Sequence, residues 1–124
     1  MKKIIQTDNA PAAIGSYSQA VKTGSTLYIS GQIPLTVEGE LIMTSIEEQT
    51  EQVLMNLEAI LKEAGGSFNN VVKATIYTDD ITYFNEINEA YGKFFKKEPP
   101  ARAFVEVSAL PKGVNVEIEA IAEL

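Results

Sequence analysis

Two alternating runs near the C-terminus, Ala101 to Val107 and Val114 to Ala122, constrain this chain more than any other part of it. A period of two places successive side chains on opposite faces of an extended strand. The first run sets Ala101, Ala103, Val105 and Val107 against Arg102, Phe104 and Glu106, and the second sets Val116, Ile118, Ala120 and Ala122 against Glu117, Glu119 and Ile121. Leu110-Pro111-Lys112-Gly113 between them is a turn sequence, so the two runs are expected to pair as a hairpin. That hairpin would put Arg102 and at least one glutamate on a common face, away from the core.

The upstream chain supplies partners for this hairpin. Residues 2 to 6 read as a short strand, DNAPAAIG as a loop leading to Tyr17, and 18–23 and 26–32 as strands split by Gly24-Ser25. A helix starts at Ser45, spaced from Glu48 as in a capping box, and stops at Gly65-Gly66; its apolar stripe is Ile46, Thr50, Val53, Leu57, Leu61 and Ala64. Residues 70–78 form a β-branched strand, and a second helix over 82–95 carries Phe84, Ile87, Tyr91 and Phe94. Asn88 lies at the edge of that stripe, where its amide needs a partner, either a neighbouring loop or a ligand. The order predicts an α+β fold, a single mixed β-sheet with two helices packed on one face. The other face would carry Tyr28, Val71, Tyr77, Phe104 and Ile121, which is too much apolar surface for a monomer. Copies of the same chain are expected to cover it, leaving Arg102 and Glu117 near a subunit interface.

Arg102 is the only arginine; the other nine basic residues are lysines. Its planar, permanently charged fork grips a carboxylate or phosphate through two parallel hydrogen bonds, although an exposed salt bridge is the plainer alternative. With neither histidine nor cysteine in 124 residues, catalysis is left to carboxylates, hydroxyls, Lys, Arg or backbone groups, and cysteine or histidine metal sites are excluded. A net charge of -7 argues against a nucleic-acid or anionic-membrane surface. The length suits one domain over residues 1–124. An N-terminus too short and polar for a signal peptide, with no membrane-length apolar run, leads us to expect a cytoplasmic protein.

The motifs NAPAAIGSYSQA, ISGQIP, VVKATIY and PARAFVEVSALPKGVNVEIEAIA, in this order and spacing, resemble the YjgF-type reactive intermediate deaminases, the RidA branch of the Rid family. The resemblance covers essentially the whole chain. It implies a chorismate-mutase-like fold, a homotrimer with three ligand clefts between subunits, and hydrolysis of enamine and imine acids such as 2-aminoacrylate to 2-keto acids and ammonia, without a cofactor. It further implies that Arg102 binds the substrate carboxylate with help from the Gly31 backbone N–H. Ser30, Tyr17 and Asn88 would line the cleft, and Glu117 would position or activate water. Phe104 replaces a cysteine common in the family, Ser16 replaces a frequent proline, and the KKEPPA connection is shorter than in many relatives. A non-catalytic trimer that binds small carboxylates or keto acids and signals to a partner in a regulatory role is the alternative; a ribonuclease fits an acidic chain without histidine poorly.

Overall fold

The computed structural model describes residues 1–124, and the alternating segments fold into six strands and two helices. In chain order these are β1 (Lys2–Ile5), β2 (Ala20–Thr23), β3 (Thr26–Gln32), α1 (Ile46–Glu63), β4 (Val71–Thr78), α2 (Phe84–Gly92), β5 (Ala101–Glu106) and β6 (Val116–Glu123). Short 3-10 turns occupy Phe68–Asn70, Ile81–Tyr83 and Pro111–Gly113. The strands make one mixed sheet in the order β1-β2-β3-β6-β4-β5, antiparallel except for the parallel β4–β5 pair.

Helix α1 begins where its cap dictates, with Ser45 Oγ accepting from the Glu48 N–H at 3.0 Å. Its stripe from Ile46 to Leu61 is buried, and with Ile87 and Tyr91 of α2 it packs on Leu27, Ile29, Ala74, Ile76, Ile118 and Ala120 of the sheet. Both helices therefore cover one face, as expected. The other face presents Tyr28, Tyr77, Ile121 and Val105 with no element over them.

Three expectations need correction. β5 and β6 are not a hairpin, because β4 lies between them, and β5 returns parallel to β4 through α2. The register pairs Ala74 with Arg102 and Ile76 with Phe104, and Ala74 and Ile76 are core residues. Arg102 and Phe104 thus point toward the helices, while Ala101, Ala103 and Val105 take the open face; Arg102 and Glu117 lie on opposite faces of the sheet. Val71 is likewise buried and Val72 exposed, the reverse of the alternation, because a register shift between Val71 and Lys73 changes the strand's phase.

Behind the site, Asn56 of α1 is 2% exposed, and its Nδ2 donates to the carbonyls of Ile33 at 3.1 Å and Leu35 at 3.0 Å, holding the segment after β3 against the helix. Asn56→Leu keeps the number of side-chain heavy atoms but leaves the Leu35 carbonyl without its donor, while the Ile33 carbonyl keeps the Leu35 N–H at 2.7 Å. We expect a loss of about 2 kcal/mol in urea unfolding, from the desolvation penalty of one unsatisfied acceptor and the loss of the second hydrogen bond.

Candidate functional site

The sheet carries a half-site on each face. On the open face, a register shift between Ile29 and Gln32 leaves Ser30 and Gly31 without paired positions on β6. Here β3 and β6 separate, and a cleft of about 620 Å³ opens, lined by Pro11, Tyr17, Ser30, Gly31, Glu117 and Glu119 among others. Gly31 is required by space: a Cβ there would overlap the Glu117 carboxylate. Ser30 Oγ donates to the Ser18 carbonyl at 2.6 Å, and the Ser30 N–H donates to the Gln19 carbonyl at 2.9 Å, so the bent strand stays tied to the segment that leads into β2.

Glu117 is half-buried. Burial first, and the charge of Glu119 second, raise its carboxyl above the ordinary value of 4.5. Glu119 in turn accepts from the Tyr77 hydroxyl at 3.2 Å, and burial with that neighbouring charge raises the Tyr77 phenol. Two carboxylates two residues apart on one strand face thus differ in role: Glu119 is tied to a phenol, and Glu117 is directed at the cleft. No group of three or more acidic side chains is arranged to hold a metal ion.

Tyr17 stands 54% exposed at the rim, its hydroxyl accepting from the Ile14 N–H at 3.4 Å. The loop beneath it hangs on Gln19, which our reading of the sequence did not single out. This buried amide accepts from the Thr7 N–H at 2.7 Å and donates to the carbonyls of Thr7 at 3.1 Å, Ala10 at 3.4 Å and Pro11 at 2.8 Å. Its only signal was a long amide amid small residues just after the proline- and glycine-containing loop.

On the helix face, Arg102 lies in a smaller recess of about 320 Å³ with Asn88, Tyr91, Gly92, Phe95, Pro99 and Pro100. Its Nη1 donates to Asn88 Oδ1 at 2.8 Å, and no carboxylate lies within salt-bridge distance of it. Three rings surround the guanidinium instead: Tyr91 at 5.0 Å, Phe104 at 5.8 Å and Phe84 at 5.9 Å from its carbon to the ring centroids. Phe84, Asn88 and Tyr91 recur at four- and three-residue spacing, so one face of α2 supplies two rings and the amide. Glu98, at φ 45 in the left-handed region, turns the short connection before Pro99 and Pro100 into β5. Of the residues expected at the site, Tyr17, Ser30, Gly31 and Glu117 therefore meet in one half and Asn88 and Arg102 in the other.

A family model described as endoribonuclease L-PSP matches residues 7–124. The chain is 52% identical over 123 residues to a RutC family protein of Pyrococcus horikoshii, covering 98% of each chain. It is 50% identical over 123 residues to a 2-iminobutanoate/2-iminopropanoate deaminase of Mus musculus, covering 98% of this chain and 91% of that one. The crystal structure of RidA from the Antarctic bacterium Psychrobacter sp. superposes with a TM-score of 0.94 at 49% identity, over 98% of this chain and 99% of the other.

Two measurements probe the Glu117 half. Because its carboxyl is raised in the folded protein, Glu117 contributes fully below its ordinary value of 4.5 and loses that contribution as pH rises through the folded value. Glu117→Gln should then gain stability relative to wild type in urea unfolding as pH rises above 4.5, with the gain kept once Glu117 is ionised in the folded protein. Gly31→Ala should fold, because a β-strand accepts alanine, yet displace the Glu117 carboxylate, visible as a changed Glu117 titration by NMR.

Proposed function

The chain belongs to the YjgF/Rid family, the family its matching model describes as endoribonuclease L-PSP, and on that premise we propose that it hydrolyses 2-aminoacrylate- and 2-iminopropanoate-type intermediates to 2-keto acids and ammonia. Arg102 is the observation that carries this reading. A partly buried guanidinium with one neutral hydrogen-bond partner and no carboxylate beside it is prepared for an anion from outside the chain. The relatives named as 2-iminobutanoate/2-iminopropanoate deaminases, at about half identity over nearly the whole chain, favour a small imino acid as that anion.

Opposite faces of one sheet cannot grip one small molecule, so the two halves belong to different protomers. In the proposed homotrimer, the Arg102 edge of one protomer meets the Glu117 cleft of the next, and the apolar open face around Tyr28, Tyr77 and Ile121 is covered by neighbouring copies. Arg102 and the Gly31 N–H hold the carboxylate, while Ser30, Tyr17 and Asn88 line the cleft. Water held by Glu117 adds to the imine carbon as one of its protons passes to nitrogen, and the second proton then passes from the new hydroxyl to nitrogen as the C–N bond breaks, releasing ammonia and leaving the ketone. A raised Glu117 is a better base near neutrality than an ordinary carboxylate, which suits this step. The chain's own groups perform each of these steps in the cytoplasm without a cofactor. With a net charge of -7 and no histidine, RNA cleavage lacks both the basic surface and the usual base.

The test generates 2-aminoacrylate with a serine dehydratase and follows its decay. Wild type should accelerate it; Arg102→Ala should abolish acceleration with the sedimenting trimer intact, and Arg102→Lys should restore little, since a point charge cannot reproduce the fork. Glu117→Gln should slow turnover while 2-oxobutanoate still binds. Unfolding and refolding Arg102→Ala together with Glu117→Gln should recover activity in about a quarter of the clefts, those in which both halves are wild type by chance. No recovery in the mixture overturns the shared cleft, and no acceleration by wild type overturns the enzyme.

A further inference from the structure

Arg102 is only partly buried, and rings rather than acids of its own chain flank it. The guanidinium has two faces and an edge of N–H donors. Tyr91, Phe104 and Phe84 stand 5.0, 5.8 and 5.9 Å from its carbon, within the range at which a cation is attracted to a ring face. Phe84 and Phe104 brace each other at 4.7 Å between centroids, and Tyr91 stacks on Phe95 at 4.4 Å, which itself meets Phe68 at 4.9 Å. The clamp is therefore continuous with the core. Asn88 engages only Nη1, leaving the remaining N–H donors of the fork uncommitted.

We propose that Phe104, with Phe84 and Tyr91, is a positioning residue that fixes the plane of the Arg102 guanidinium so that its free donor edge meets a carboxylate without reorganisation. Rings do this without competing for the edge. A glutamate at the same place would hold the arginine as firmly but would consume the N–H donors and cancel the charge. The clamp contains no acid: Tyr91 is 4% exposed with its hydroxyl unpartnered, and burial pushes that phenol up to about 12, so it stays neutral at working pH. Phe104 is the ring contributed by β5 itself, two residues from Arg102 on the same strand face, so it moves with the arginine as the sheet does. Preorganisation of this kind raises affinity by removing the ordering cost of a long side chain.

This inference rests on reading Arg102 as a carboxylate anchor, and the experiment separates the two. Since Arg102 is the only arginine, its Nε–H gives one assignable signal in a nitrogen-15 spectrum of the intact protein. Ring currents should shift that proton away from the position of an exposed arginine, with or without ligand. Phe104→Leu should return it toward the exposed position and weaken 2-oxobutanoate binding about tenfold, the loss of one well-placed cation–π contact. Phe104→Tyr, which keeps the ring, should restore both. An exposed-arginine signal in wild type, or an unmoved signal with binding held within about twofold in Phe104→Leu, overturns the clamp; if that variant does not fold, Phe84→Leu is read by the same criteria. A shifted signal in a wild type that binds no 2-oxobutanoate would keep the clamp and overturn the carboxylate reading.

Discussion

The parallel pairing of β5 to β4 fixes the rest of the site. It seats Arg102 opposite Ala74 and Phe104 opposite Ile76, two positions of the helix-covered core, and so sends the one arginine under α2. A slip of one residue would exchange the faces, placing Ala101, Ala103 and Val105 against the helices and Arg102 on the open face. The phase is held from both sides: the small Ala74 leaves room for the arginine, and the aromatic residues of α2 fill the space around it. The parallel return through α2 also brings Asn88 to the end of the side chain it must meet.

The second half of the site depends on an interruption rather than on a pairing. Between Ile29 and Gln32 the ladder with β6 skips a step, and the resulting gap is where Glu117 finds space beside a residue with no side chain. Around the gap, the fixing is done by amides. Gln19 clasps the loop below Tyr17, Asn56 holds the chain after Pro34, and Gln49 and Asn115 join the start of α1 to the start of β6 through bonds of 2.8 and 3.1 Å. Neutral amides can be buried in this way without adding a charge of their own to the fold around the cleft.

Much of this was legible in the chain. Alternation along 114–122 gave β6 with its correct faces, the Ser45 cap and the Gly65-Gly66 stop bounded α1, and the shortage of helices identified the uncovered face. Arg102 stood out because it had no companion of its type. The two misassigned faces share one cause: alternation tells which residues lie together on a strand, but not which face is the core. For β5 that depended on a parallel neighbour distant in sequence, and for Val71 on a bulge that changes the phase within one strand. The aromatic clamp was half visible, since the spacing of Phe84, Asn88 and Tyr91 puts them on one helix face, yet only the tertiary register brings Phe104 and Arg102 beneath it.

A lone guanidinium in a chain of net charge -7 also shapes how an anion would arrive. Close to Arg102 the attraction is strong, because no acid of its own chain lies within salt-bridge distance to cancel the field and three rings flank the guanidinium. Beyond about 10 Å the acidic remainder dominates and repels the same anion at low ionic strength. Ions in the medium screen the distant repulsion more than the near, sheltered attraction. Encounter would quicken as ionic strength rises, the opposite of an enzyme that draws its substrate in along a basic surface.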